Sequence, residues 1–170
     1  MTCFATITIT GLAVLFVAMT STLHPVPKLI WNASASVPIG LYVVRSNSVH
    51  HAGDVVVVRP PEALAAFLET RGYLARGVPL LKQIAALPGH DVCRTGRTIT
   101  INGVIIGHAL DRDRLGRTLP GWQGCRRIAD GQLFLMNWRS EYSLDGRYFG
   151  PISASTIVGR AFPAWTEEDN

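Results

Sequence analysis

Two segments of the chain carry residues able to do covalent chemistry. Asn32-Ala33-Ser34-Ala35-Ser36-Val37-Pro38-Ile39-Gly40-Leu41-Tyr42 sets two serines just ahead of a proline, and Pro79-Leu80-Leu81-Lys82-Gln83-Ile84-Ala85-Ala86-Leu87-Pro88-Gly89 sets a single lysine in an apolar run. An ammonium among aliphatic side chains is costly, and burial lowers the lysine pKa in response. The neutral amine can then take the proton of a serine hydroxyl, which alone is too weak an acid to attack an amide near neutral pH. Ser36 is the expected nucleophile: Pro38 fixes its own φ and drives Val37 toward extended backbone, and Gly40 admits a close backbone approach. The Ser36 N–H and the Ser34 hydroxyl are the candidate oxyanion donors. Alternation places Leu80, Lys82 and Ile84 on one face of the lysine strand and Leu81, Gln83 and Ala85 on the other. On an edge strand the same lysine would instead reach water and guard against aggregation, and the strand by itself supports both readings.

A third group lies in Ser143-Leu144-Asp145-Gly146-Arg147-Tyr148-Phe149-Gly150-Pro151. Asp145 and Arg147 point the same way if extended, and Gly146 is the bend if the chain turns. A salt-bridged turn with no part in chemistry is the plainer alternative. The histidines give no metal signature: His50 and His51 are adjacent, while His24, His90 and His108 stand alone without zinc-site spacing, so no metal or other cofactor is expected. A Ser-His-Asp triad on His90 or His108 stays open, because triads assemble in space. Asn32-Ala33-Ser34 also fits a glycosylation sequon, a pattern common by chance.

The elements that must hold these residues are legible around them. With 170 residues, 48% of them apolar, the chain has room for one domain core. Its net charge of +4 is modest and no Lys/Arg cluster is interleaved with aromatics, so no nucleic acid partner is expected; Arg112-Asp113-Arg114 reads as a solvated loop. Residues 1–23 contain no charged side chain, and Phe4 to Met19 approaches the ~20 residues that cross a bilayer, which predicts one spanning helix with the lipid bilayer as its partner. A cleaved secretory signal is the alternative, against which stand the missing basic start and small-x-small site. Pro25 and Pro27 make a stiff connector over 24–31, the domain follows over 32–165, and 166–170 is an acidic tail expected to fray. Strands are predicted at Leu41–Val44, Asp54–Arg59, Leu80–Leu87, Thr98–Ile106 with a hairpin at Asn102-Gly103, Leu133–Trp138 and Thr156–Phe162, and a short helix within Pro61–Arg71. The fold class is therefore mainly β, compact, with a short helical insertion after one N-terminal transmembrane helix.

Ser36 to Tyr42, Leu81-Lys82 followed by Pro88-Gly89, and Ser143 to Pro151 together resemble the signal peptidase I superfamily. More narrowly they are similar to its plasmid conjugative-transfer branch, the TraF-type peptidases that mature pilin subunits. The resemblance implies that Ser36 and Lys82 form a catalytic dyad, that Ser34 and the Ser36 N–H make the oxyanion hole, and that Ser143, Asp145 and Arg147 support the site. It also implies an inner-membrane protein whose catalytic body faces the periplasm. In that oxidising compartment Cys93 and Cys125 are expected to close a loop of about thirty residues, worth roughly 3–4 kcal/mol, with two free buried thiols as the alternative. The implied activity is cleavage of a membrane-associated pilin precursor through an acyl-enzyme, released by water or by the substrate's own amine to give a cyclic product, with other conjugative-transfer proteins as further partners. A general type I signal peptidase and a non-catalytic, membrane-anchored assembly component are the competing readings. One position departs from the family pattern: His90 precedes Asp91 where signal peptidases usually place an aspartate directly after Pro-Gly.

Overall fold

The computed structural model describes residues 3–22, 28–46 and 49–167; Pro25, Pro27 and the tail residues 168–170 lie outside the described residues, whereas the end of the connector expected over 24–31 is a strand from Leu29, paired antiparallel with residues 40–43. In chain order the elements are α1 (Cys3–Thr22), β1 (Leu29–Asn32), β2 (Gly40–Arg45), β3 (Val55–Val58), α2 (Glu62–Thr70), β4 (Leu80–Ala86), β5 (Asp91–Thr95), β6 (Thr98–Ile101), β7 (Val104–His108), β8 (Gly124–Arg127), β9 (Gln132–Leu135), α3 (Gly146–Phe149), β10 (Ile152–Ser153) and β11 (Ile157–Thr166). α1 is apolar on all sides, its 18-residue window Cys3–Thr20 has a mean hydropathy of 2.1, and none of it is buried in the protein. It is long and apolar enough to cross a membrane.

The strands form two antiparallel sheets. One has seven strands in the order β1-β2-β11-β3-β4-β9-β10, the other four in the order β7-β6-β5-β8. β4, the lysine strand, therefore lies between β3 and β9, and both its faces are covered. Leu81 packs with Val37, Tyr42 and Val57 on one side, whereas Ile84 packs with Val56, Val58 and Leu133 on the other. Lys82 shares the Leu80–Ile84 side, as alternation predicts, and the edge-strand reading falls because β4 has a neighbour on each edge.

Local sequence explains the turns that fix this arrangement. Asn102 and Gly103 both have positive φ, 49° and 82°, and join β6 to β7 as a two-residue hairpin. Leu87-Pro88-Gly89-His90 turns with Gly89 at φ +89°, closed by His90 N–H donating to Leu87 C=O at 3.2 Å. The His90 Nδ1 lies 3.0 Å from the Leu87 N–H, so this turn closes with an imidazole acceptor in place of a carboxylate. At Gly40, φ +152°, a Cβ would lie 2.1 Å from the Trp165 carbonyl oxygen, so the β2–β11 pairing that follows the serine segment requires glycine.

Four strands lie outside those predicted: β1 and β10, and the weakly patterned β5 and β8. β8 is wholly exposed and β5 begins and ends exposed, so neither shows an apolar run; β8 is held by its pairing, with Cys93 opposite Cys125, and β5 also by Val92, buried against Ile99 and Phe134. Those two cysteines form the expected disulfide. β11 runs to Thr166, which is buried, and the Glu167 N–H donates to Ile39 C=O, so the start of the expected tail belongs to the sheet. The Arg112–Arg114 loop is solvated only at its arginines. The Asp113 side chain turns inward, 8% exposed.

Candidate active site

Asn32 organises the serine segment from the end of β1. Its side-chain Nδ2 donates to the carbonyls of Ser34, Val37 and Pro38 at 2.7, 3.0 and 3.0 Å, and its Oδ1 accepts from the Ser34 N–H and hydroxyl. One buried amide thus wraps the loop around itself, and the Tyr42 hydroxyl adds a bond to Pro38 C=O at 2.7 Å. With its amide committed and buried, Asn32 serves the loop and not glycan attachment. The loop holds Ser34 Oγ 2.8 Å from Ser36 Oγ; since the Ser34 proton goes to Asn32, the Ser36 hydroxyl donates to Ser34.

Lys82 is 5% exposed and donates to Ser143 Oγ at 2.7 Å. Its pKa falls from 10.5 to about 8. Burial is the largest cause, the Asp145 carboxylate pulls the value up, and the Arg147 guanidinium pushes it down. Among the described residues no hydrogen bond joins Lys82 to Ser36, but both line one cavity of about 470 Å³, walled also by Trp31, Leu74 and Leu80.

The third block turns at Gly146 instead of running extended. Asp145 caps α3, accepting from the Arg147 N–H, and the two side chains form a bidentate pair: Arg147 Nε to Oδ1 and Nη2 to Oδ2, both 2.9 Å. At 2% exposure Arg147 also donates to the carbonyls of His108, Ser140 and Ser143. A Cβ on Gly146 would meet the Leu135 carbonyl at 2.6 Å, so glycine lets α3 press against β9. This pair, neutral as a unit, orders the backbone that carries Ser143 and leaves desolvation in command at Lys82.

Asn137 completes the link between the pair and the lysine, and sequence reasoning passed over it. β9 ends at Leu135, short of the predicted Trp138, because Asn137 takes over the ladder with its side chain. Fully buried, it accepts from Gln83 N–H at 2.8 Å and donates to Leu81 C=O at 3.2 Å, the groups flanking Lys82, while its own N–H donates to Asp145 Oδ2 at 3.1 Å. The available signal was a polar amide closing the apolar run Leu133–Met136.

The structure thus gathers Ser34, Ser36, Lys82, Ser143, Asp145 and Arg147 around one place, with Cys93–Cys125 apart from it in the four-stranded sheet. His90 turns its Nδ1 to the Leu87 backbone and His108 its Nδ1 to Thr98, and neither ring lines the two cavities described around Ser36, so the structure lends the histidine triad no support. No group of three metal-ligating side chains occurs among the described residues. Chemically the arrangement offers a hydroxyl nucleophile, a desolvated amine and a hydroxyl beside the nucleophile able to meet an oxyanion.

A family model described as signal peptidase, peptidase S26, matches residues 1–165. The chain is 32% identical over 145 residues to the plasmid transfer protein TraF of Escherichia coli, covering 79% of this chain and 81% of that protein. It is 36% identical over 152 residues to the conjugal transfer protein TraF of Agrobacterium fabrum, again covering 79% and 81%. A crystal structure of a signal peptidase I from Enterococcus faecalis aligns with 68% of this chain and 98% of its own, at 20% identity and a TM-score of 0.41.

Proposed function

The chain belongs to the signal peptidase S26 family, with TraF proteins of conjugal transfer among its relatives, and from that membership we propose that it is a membrane-anchored Ser/Lys endopeptidase that matures a pilin precursor. The observation that carries this reading is Lys82: an amine buried in an interior strand, oriented by Ser143, opening into the cavity that Ser36 shares. α1 is the single-pass anchor, and the disulfide suits a periplasmic body.

In this mechanism a substrate segment displaces water and Ser36 turns from Ser34 toward neutral Lys82. The amine takes the hydroxyl proton as the Oγ–C bond forms, and the oxyanion accepts from the Ser36 N–H and from the Ser34 hydroxyl, which leaves Asn32 for the substrate. Lys82 then gives the proton to the leaving nitrogen as the C–N bond breaks, and an ester remains on Ser36. Water or the substrate's own N-terminal amine attacks this ester, passing a proton through Lys82 back to Ser36 Oγ. With a pKa of about 8, roughly a tenth of the enzyme holds the amine neutral at pH 7.

The test is the mass of a co-expressed candidate pilin precursor with wild type, Ser36→Ala and Lys82→Ala. A shortened subunit with wild type alone supports the dyad, and a further loss of one water marks cyclisation over hydrolysis. Processing that persists in both variants refutes it.

A further inference from the structure

A second cavity, of about 410 Å³, opens on Ser34 and Ser36 from outside the lysine cavity and is walled by the end of α2, the 110–119 loop and the Ser140–Leu144 turn. Its charges are arranged with care. Asp113 is the sole carboxylate among its described lining residues, and it is spent: it accepts from the Tyr73 hydroxyl, from Arg117 Nε at 2.7 Å and from the backbone N–H groups of Leu115 and Arg117. Burial opposes its charge, yet these bonds hold its carboxyl well below the usual range, so Asp113 and Arg117 cancel as an ion pair.

Two cations remain. Arg71 is fixed by a bond from Nη1 to Thr118 C=O at 3.0 Å and by the Phe67 ring beneath it, and Arg114 lies over the Tyr142 ring at 4.1 Å. Neither makes an ion pair among the described residues. The lysine cavity, by contrast, is apolar apart from Asn32, Ser34, Ser36 and Lys82, with Ile30, Trp31, Leu74, Val78 and Leu80 among its walls. Ser34 and Ser36 line both cavities, so a polypeptide acylating Ser36 can lay one flank in each and meet different chemistry on the two sides.

We propose that the second cavity binds an acidic side chain or carboxylate of the polypeptide substrate, on the flank of the scissile bond away from Lys82, with Arg71 and Arg114 determining this specificity. The inference rests on the peptidase reading and deepens it. A peptide is favoured over lipid headgroups as the source of the anion because Ser34, Ala35 and Ser36 form part of the same wall.

The experiment uses the full chain in neutral detergent and quenched peptides with an alanine-rich centre, carrying Asp, Asn or Lys on one flank and then on the other. On one flank only, Asp is expected to raise kcat/KM roughly three- to tenfold over Asn through KM, as two partly exposed ion pairs allow, and Lys to lower it. The preference shrinks with added salt. Arg71→Gln combined with Arg114→Gln abolishes it with only a small fall in melting temperature from the lost Thr118 bond and ring contacts, and Arg127→Gln on β8 preserves it. A wild type indifferent to flank charge, or a preference surviving the double variant, overturns the inference while cleavage lost in Ser36→Ala leaves the peptidase reading standing. Cleavage of no peptide overturns both. An effect of the arginine variants seen only on anionic phosphatidylglycerol vesicles assigns them to the bilayer and likewise overturns it.

Discussion

Replacing Lys82 by methionine isolates the property on which the proposed chemistry depends. Methionine is unbranched, apolar and of similar length, so it fills the same space without titrating. The Lys82 pKa is 10.5 ordinarily and about 8 in the folded protein. At about 1.4 kcal/mol per unit, holding the charged amine in the fold costs about 3 kcal/mol whenever the pH lies below 8. The folded state binds this proton less tightly than the unfolded state, so the wild type loses stability as the pH falls from 10.5 through 8, and the lysine term vanishes above 10.5. Loss of the Ser143 hydrogen bond and altered packing shift the variant by an amount independent of pH. The stability of Lys82→Met relative to wild type is therefore expected to drop by about 2–3 kcal/mol between pH 7 and pH 10. Guanidinium unfolding of the two full chains in detergent, followed by tryptophan fluorescence at several pH values, measures that difference directly. A gap that stays constant with pH would mean a hydrated lysine of ordinary pKa, and the case for Lys82 as the base would collapse.

Three further outcomes follow from the same geometry. Ser34→Ala, at an exposed position, is expected to lower kcat roughly a hundredfold with little change in KM or stability; a loss below threefold would remove Ser34 from the oxyanion hole. Arg147→Met leaves Asp145 uncompensated beside Lys82, so it should destabilise the fold by about 3–5 kcal/mol and, in the folded fraction, move the rising limb of the pH–rate profile to higher pH; a limb shifted lower contradicts the electrostatic account. Asn137→Leu orphans the Gln83 N–H and Leu81 C=O beside Lys82, and should cost about 2–4 kcal/mol by thermal or chemical unfolding together with a fall in kcat. Full activity in Asn137→Leu would show that the clamp on the lysine strand is dispensable.

Much of the site was legible because its parts are local and chemically unusual. A lysine inside an apolar run, two serines before a proline and a Ser-x-Asp-x-Arg block each announce themselves through residue type and spacing, and the apolar N-terminal segment states its helix by length alone. The hairpin at Asn102-Gly103 and the lysine strand were equally readable, since turn chemistry and continuous apolar runs act within a few residues. The sequence could not say whether β4 is an edge or an interior strand. That depends on β3 and β9 closing over it from distant parts of the chain, and it decides whether Lys82 is hydrated or desolvated. The roles of Asn32 and Asn137 were hidden for the same reason: an amide becomes a backbone substitute only where folding leaves carbonyl and N–H groups without a strand to pair them. Asp113 shows the converse, a residue that reads as solvated beside two arginines until Tyr73, forty positions earlier, supplies the bond that draws it inward. Residue chemistry was written along the chain, whereas burial and pairing, which set the charge state of that chemistry, arose only when distant segments came together.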